Sequence, residues 1–171
     1  KDSSNFTNHL DDTHSAYSAN LHDFHNMQGI EGTNNDEFNN SDSLTLSGLF
    51  GDEFSLLSKM ANTSDVIQIA LDNNAVAIGD IVFVSNCKGG DIFQVSGGNP
   101  SIDGFLRRDG AASPGNKITT CAITGKQACS DCVCQNYGQE ASVHPKFSRK
   151  KYFIQQLPNQ EPTLVVEDLL N

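Results

Sequence analysis

All five cysteines of this 171-residue chain lie beyond residue 86, and four of them crowd into residues 121–134: Cys121, Cys129, Cys132 and Cys134, with Cys87 further back. Cross-links or a shared metal there would fix one corner of whatever folds around it. Cys129 and Cys132 have the C-x2-C spacing of a chelating pair, and His144 follows Cys134 by ten residues. Tetrahedral zinc takes four such ligands, so Cys121, Cys129, Cys132, Cys134 and His144 form one candidate set. A complete zinc pattern would add a second C-x2-C or an H-x3–5-H pair, and the chain has neither. The expectation is therefore one or two disulfides among Cys87, Cys121, Cys129, Cys132 and Cys134. The odd count leaves at least one thiol, which also permits a bond between chains.

Composition changes near residue 62. Residues 1–62 carry ten acids, nine Asn and two bases, Lys1 and Lys59, with no Cys and no Pro. We divide the chain there, into a polar acidic segment (1–62) and a cysteine-containing β domain (63–171). In the segment, Leu10, Tyr17, Leu21 and Phe24 recur at helical spacing and predict a helix from about Phe6 to Gln28. Residues 31–43 are polar and low in complexity, and read as a linker. Phe50, Phe54, Leu57 and Met60 make a second helical stripe. Short helices like these need a surface to pack on, either the β domain or another chain.

Beyond residue 63 the period drops to two. Ile67–Leu71, Ala75–Ile78, Asp80–Val84, Ile92–Val95, Ile102–Leu106, Lys117–Ile123, Tyr152–Leu157 and Thr163–Val166 read as short strands separated by turn signals. Such a pattern indicates an antiparallel sheet, or a mainly β sandwich or barrel. No βαβ alternation appears, which excludes a dinucleotide-binding sheet.

The formal net charge is −10, which opposes nonspecific binding to nucleic acid or anionic membrane. Lys146, Arg149, Lys150 and Lys151 form one basic cluster, read as a solvated edge or a contact for an acidic surface. No stretch approaches the roughly 20 apolar residues of a membrane span. The chain begins at Lys1, as a processed or trimmed product would. His9, His14, His22 and His25 stand near Asp11, Asp12 and Asp23 without matching a defined metal site. Asn5-Phe6-Thr7 and Asn62-Thr63-Ser64 fit the N-glycosylation pattern. Phosphate loops, G-x-S-x-G elbows, H-E-x-x-H helices and EF-hand loops are all missing. Together these absences predict a protein that is not an enzyme and has no cofactor, with zinc as the exception the cysteines leave open.

Two segments carry a family resemblance. The stretch IGDIVFVSNCKGGDIFQVSG (Ile78 to Gly97) resembles the central hairpin of minor pilins of type IV pili, of the assembly-protein W kind. Gly79 to Ser85, Cys87 and Asp91 to Val95 take the places of that hairpin's two strands and its cysteine. The tail KYFIQQLPNQEPTLVVEDLLN resembles the family's closing strand and turn. The resemblance implies an α+β pilin-like headgroup, with N-terminal helical segments packed on an antiparallel β-sheet and disulfides formed in an oxidising periplasm. It implies a structural subunit that docks with other pilin subunits to prime or cap the pilus. Its place would be the bacterial inner membrane and the cell-surface pilus, with a native N-terminal membrane helix removed. The interaction residues would be Leu10, Tyr17, Leu21, Phe24, Phe50, Phe54 and Leu57, together with Lys146, Arg149, Lys150 and Lys151. The alternatives weighed beside it are a secreted, disulfide-stabilised recognition domain, a virion decoration module, and a metal-binding regulator or enzyme built on Cys121, Cys129, Cys132, Cys134 and His144.

Overall fold

A computed structural model describes residues 5–24, 29–49, 52–70, 76–145 and 147–169. Among these residues, eleven strands and two four-residue helices follow one another in chain order: β1 (Phe6–Asn8), α1 (Ala19–His22), β2 (Ile30–Thr33), β3 (Ser43–Leu49), β4 (Phe54–Ser55), β5 (Ile67–Gln68), β6 (Ile81–Asn86), β7 (Gly89–Gln94), α2 (Pro100–Asp103), β8 (Phe105–Leu106), β9 (Ser142–His144), β10 (Phe147–Gln155) and β11 (Thr163–Asp168). The chain is thus mostly β, and the α+β headgroup with an N-terminal helix laid on a sheet is overturned.

Among the described residues the two helical stripes do not become continuous helices, and only Ala19–His22 is helical within them, for a physical reason. In 6–16, Asn, Asp and His side chains compete for the backbone. Asn8 Oδ1 accepts from the Leu10 amide, Asp11 Oδ1 from the Thr13 amide and His14 Nδ1 from the Ala16 amide, each two residues on. Such local turns displace the helical ladder, and Phe6–Asn8 pairs instead as a strand. Over 53–57 the burial alternates with period two: Phe54 and Leu56 are buried while Glu53, Ser55 and Leu57 are exposed. Phe54 sits in β4 opposite Val143, and Leu56 bridges to Ile69. Residues 31–43 are not a plain linker either, since β2 and a tight turn at Phe38–Asn40, with Asn39 and Asn40 at φ 58°, occupy much of it. Lys117–Ile123 forms no strand, and residues 100–103, which overlap the expected 102–106 strand, are helical.

The chain folds as two compact units that interleave in sequence: unit 1 is Lys1–His25 with Gly51–Lys146, and unit 2 is Asn26–Phe50 with Phe147–Asn171. Unit 1 contains a five-stranded sheet in the order β1-β7-β6-β9-β4, parallel at β1–β7 and antiparallel elsewhere, and the small pair β5-β8. Its core gathers Val82 and Val84 from β6, Phe93 from β7, Val143 from β9, Ile67, Leu106, Val133 and Tyr137, all at 1% exposure or less. Each such aliphatic side chain contributes about 1.5–3 kcal/mol through burial. Strand β7 is buried at all six positions, flanked by β1 and β6. Gly89 and Gly90 make that possible, because a Cβ on Gly89 would collide with the Asn5 carbonyl and the Ile123 side chain.

Unit 2 is a four-stranded antiparallel sheet in the order β11-β10-β3-β2. Arg149 pairs with Glu31 at 2.7 Å on one face, where Lys151 also pairs with Glu37 and Asp36. The opposite face is mainly apolar, with Lys150 opposite Asp168 and the buried Ser148 at one end.

Candidate functional site

A fully buried strand tolerates a polar side chain only if its hydrogen bonds are met inside the protein. β7 carries two, Asp91 and Gln94. Asp91 is completely buried and collects three donors. His9 Nε2 lies 2.6 Å from Oδ1, the Cys134 amide donates to Oδ1 at 3.1 Å, and the Tyr137 hydroxyl donates to Oδ2 at 2.5 Å. A carboxylate oxygen accepts, so Nε2 is the proton-bearing nitrogen of His9 toward Asp91. His9 Nδ1 is buried with no partner. Burial, followed by the charge of Asp91 and its hydrogen bond, raises the Tyr137 hydroxyl well above the ordinary phenol range. Gln94 ties loops together in the same manner. It donates to the Gly79 and Ser113 carbonyls at 2.8 and 3.0 Å and accepts from the Gly115 amide at 2.7 Å.

The cysteines stand beside this network. Cys121 is bridged to Cys134 and Cys129 to Cys132, while Cys87 is a free, exposed thiol at the β6–β7 turn. Cys134 Sγ lies 3.9 Å from His9 Nε2, and Cys129 Sγ lies 3.0 Å from Asp131 Oδ1. The turn between Cys129 and Cys132 is clamped by Arg108. Its Nε donates to the Asp131 carbonyl at 2.8 Å and its Nη2 to the Asp65 carbonyl at 2.9 Å, with the guanidinium 5.1 Å over the Phe93 ring. Burial lowers the Arg108 pKa to about 10.

Among the described residues two groups of metal-ligand types come together, His9 with Asp91 and Cys134, and Cys129 with Asp131 and Cys132. His144 belongs to neither; it sits half-buried on β9 with its ring 6.2 Å from Phe83. Sulfurs tied in disulfides are not thiolates, and the thiolate is the form that binds zinc. The predicted set of Cys121, Cys129, Cys132, Cys134 and His144 is therefore not assembled as one site. Chemically, His9 and Asp91 have the makings of an acid–base pair. With His9 at 1% exposure and Asp91 and Tyr137 at 0%, however, all three side chains are closed to solvent.

The expected interaction residues scatter. Leu10 is buried at 1% and Phe54 at 8%, so both belong to the interior of unit 1, while Tyr17 and Phe24 are half-buried and Leu57 is half-exposed. Arg149, Lys150 and Lys151 lie on β10 among acids of unit 2. The Leu21 side chain, Phe50 and Lys146 lie outside the described residues. An open groove of about 300 Å³ runs past Phe6, Tyr17, Asp12, Asp23 and Lys117, but Lys117 is already paired with Asp12 at 2.5 Å.

Sequence reasoning missed the roles of His9, Asp91 and Tyr137 and the apolar face of unit 2. For the face a signal existed, the period-two run Ser43-Leu44-Thr45-Leu46-Ser47 inside a segment dominated by polar residues. Burial of Asp91 left no sequence signal beyond its place in an apolar strand. No family model, curated protein or solved structure matches this chain.

Proposed function

We propose that this chain is a non-catalytic structural or recognition module that matures in an oxidising compartment and acts by binding rather than by chemistry. The observation that carries the reading is the sealing of the His9–Asp91–Tyr137 network against the Cys121–Cys134 bridge. The carboxylate, phenol, imidazole and sulfur in it hold β1, β7 and the 129–137 segment together. Two bridges within so short a stretch, one of them exposed at Cys129, suit a compartment where thiols stay oxidised. Assembly is retained from the pilin resemblance. Pilin partners and a pilus location rest on two short segments of likeness, and the headgroup architecture that went with them is not this fold.

The test is a thiol count on protein alkylated at the moment of extraction. One modified cysteine, Cys87, with four more appearing after reduction, is the expected result. Five free thiols would remove the oxidising compartment and the reading with it.

A further inference from the structure

We propose that unit 2 binds a second copy of this chain through the apolar face of its four-stranded sheet; this rests on the reading of the chain as a binding module. Strand register builds the face row by row. Ile30 stands beside Leu46, then Leu44 beside Tyr152 and Val166, then Ile154 beside Leu164. Residues directly opposite in a ladder share a face, so all seven project to the same side. Ile30 is 68% exposed, Leu164 61%, Val166 50% and Leu44 41%. Leu46, Tyr152 and Ile154, on the central strands, are half-buried among these neighbours.

A solvated antiparallel sheet ordinarily turns its polar face to water and buries the apolar one. Here the polar face is furnished with ion pairs, and the apolar face is the one left open. Contiguous apolar patches on this scale mark interaction surfaces.

Two features favour a second copy as the occupant. The face is electrically neutral, because its one base, Lys150, stands opposite its one acid, Asp168. Nothing on it recruits a charged partner, and an identical neutral apolar face is a fitting complement. Area is the other feature. Four strands at about 4.8 Å spacing and three side-chain rows cover about 19 Å by about 20 Å. Packed face to face, two copies cover about 760 Å² by that geometry, below the size of a stable interface. A contact of that size suits a weak, transient, concentration-dependent dimer.

The salt dependence has a definite sign. Unit 2 carries seven acids and three bases, so its copies repel, and screening tightens their association. A contact with a cationic partner would weaken instead.

Sedimentation velocity on the full chain, carrying Cys87→Ser to exclude a covalent dimer, tests the proposal. The expected result is a concentration-dependent monomer–dimer equilibrium that tightens a few-fold between about 50 and about 500 mM salt, for which screening over about a Debye length accounts. Leu164→Glu and Ile30→Glu, both at exposed positions, should each weaken it at least about tenfold, since each introduces a desolvated charge. Thr163→Glu adds the same charge on the other face and should leave it within about twofold. Unchanged thermal unfolding shows that the variants fold, and Leu44→Lys replaces any that does not. A monomer at every concentration up to about 300 µM, or a dimer indifferent to the face variants, overturns the proposal. Either result leaves the thiol count untouched, so the broader reading stands or falls separately.

Discussion

Tyr137 donates its hydroxyl to Asp91 Oδ2 at 2.5 Å, across the carboxylate from His9, which holds Oδ1 at 2.6 Å. Tyr137 and Asp91 lie 46 residues apart in sequence, and the bond ties the segment after the cysteine cluster to the buried strand β7. Tyr137→Phe keeps the ring in the core and deletes one donor to a buried carboxylate. A hydrogen bond to a charged group contributes about 1.5–3 kcal/mol, so stability should fall by about 2 kcal/mol with an unchanged denaturant slope. Asp91→Ala strands both Tyr137 and His9 and should cost more, about 3–5 kcal/mol. Urea unfolding of both variants checks the order; equal losses would mean that the network does not act as one unit.

The same bond sets an alkaline limit. The folded Tyr137 hydroxyl ionises above the ordinary phenol value of about 10. Its contribution is therefore fully present below that value and is lost as pH rises beyond it. Arg108 has the opposite sign: with its folded pKa lowered to about 10, it contributes stability as pH rises through the interval above that value. Arg108 is common to the wild type and Tyr137→Phe, so comparing them isolates the tyrosine. The advantage of the wild type should be constant from about pH 7 to about pH 9 and then shrink by about 1.4 kcal/mol per unit above about pH 10. A constant advantage up to about pH 11 would contradict the assignment.

Much of the β character is legible in the residues themselves, and the reasons for the failures are specific. Strands β6, β10 and β11 announce themselves because Ile81–Val84, Tyr152–Ile154 and Thr163–Val166 combine β-branched and aromatic residues with nearby turn signals. The first sixty residues mislead because Leu10, Tyr17, Leu21 and Phe24 happen to fall at helical intervals. Pattern alone does not show that Asn8, Asp11 and His14 capture backbone amides two residues on. Nor does any local signal state that Leu44 on β3 pairs with Tyr152 on β10, most of the chain away. The cysteine pairing is equally invisible, since five residues permit many connectivities and only their approach in space selects among them.

Close approach at β7 gives a third prediction. Gly90 lies between β1 and β6, and a Cβ there would sit 2.7 Å from the Val84 carbonyl and 2.8 Å from the Phe83 ring. The carbonyl belongs to a paired strand and cannot swing aside. Gly90→Ala should therefore cost about 1–3 kcal/mol, the range of overpacked cores. Gly125→Ala, at an exposed turn with open space but a φ of 66°, should cost about 1 kcal/mol from backbone strain alone. Thermal unfolding of the two variants gives the comparison, and a milder effect at Gly90 would show that the β1–β7 pairing is looser than its register implies.

The two disulfides should differ in both reactivity and weight. Cys129 is exposed, whereas Cys121 and Cys134 are buried at 4% and 8%. A reductant reaches the Cys129–Cys132 bond first, so mild treatment should yield a species heavier by two hydrogens before one heavier by four. The sequence separations are 3 and 13 residues. On loop-closure entropy the longer bridge stabilises by about 3 kcal/mol and the shorter by about 2 kcal/mol. Replacing Cys121 and Cys134 together also breaks the contact beside His9 and Asp91, which adds to the loss. The Cys121→Ser/Cys134→Ser double variant should therefore be clearly less stable in urea than Cys129→Ser/Cys132→Ser. Peptide mapping after partial reduction and alkylation reads the first claim directly. Early labelling at Cys134 would reverse the order argued from burial and show that the network around Asp91 opens before the exposed turn does.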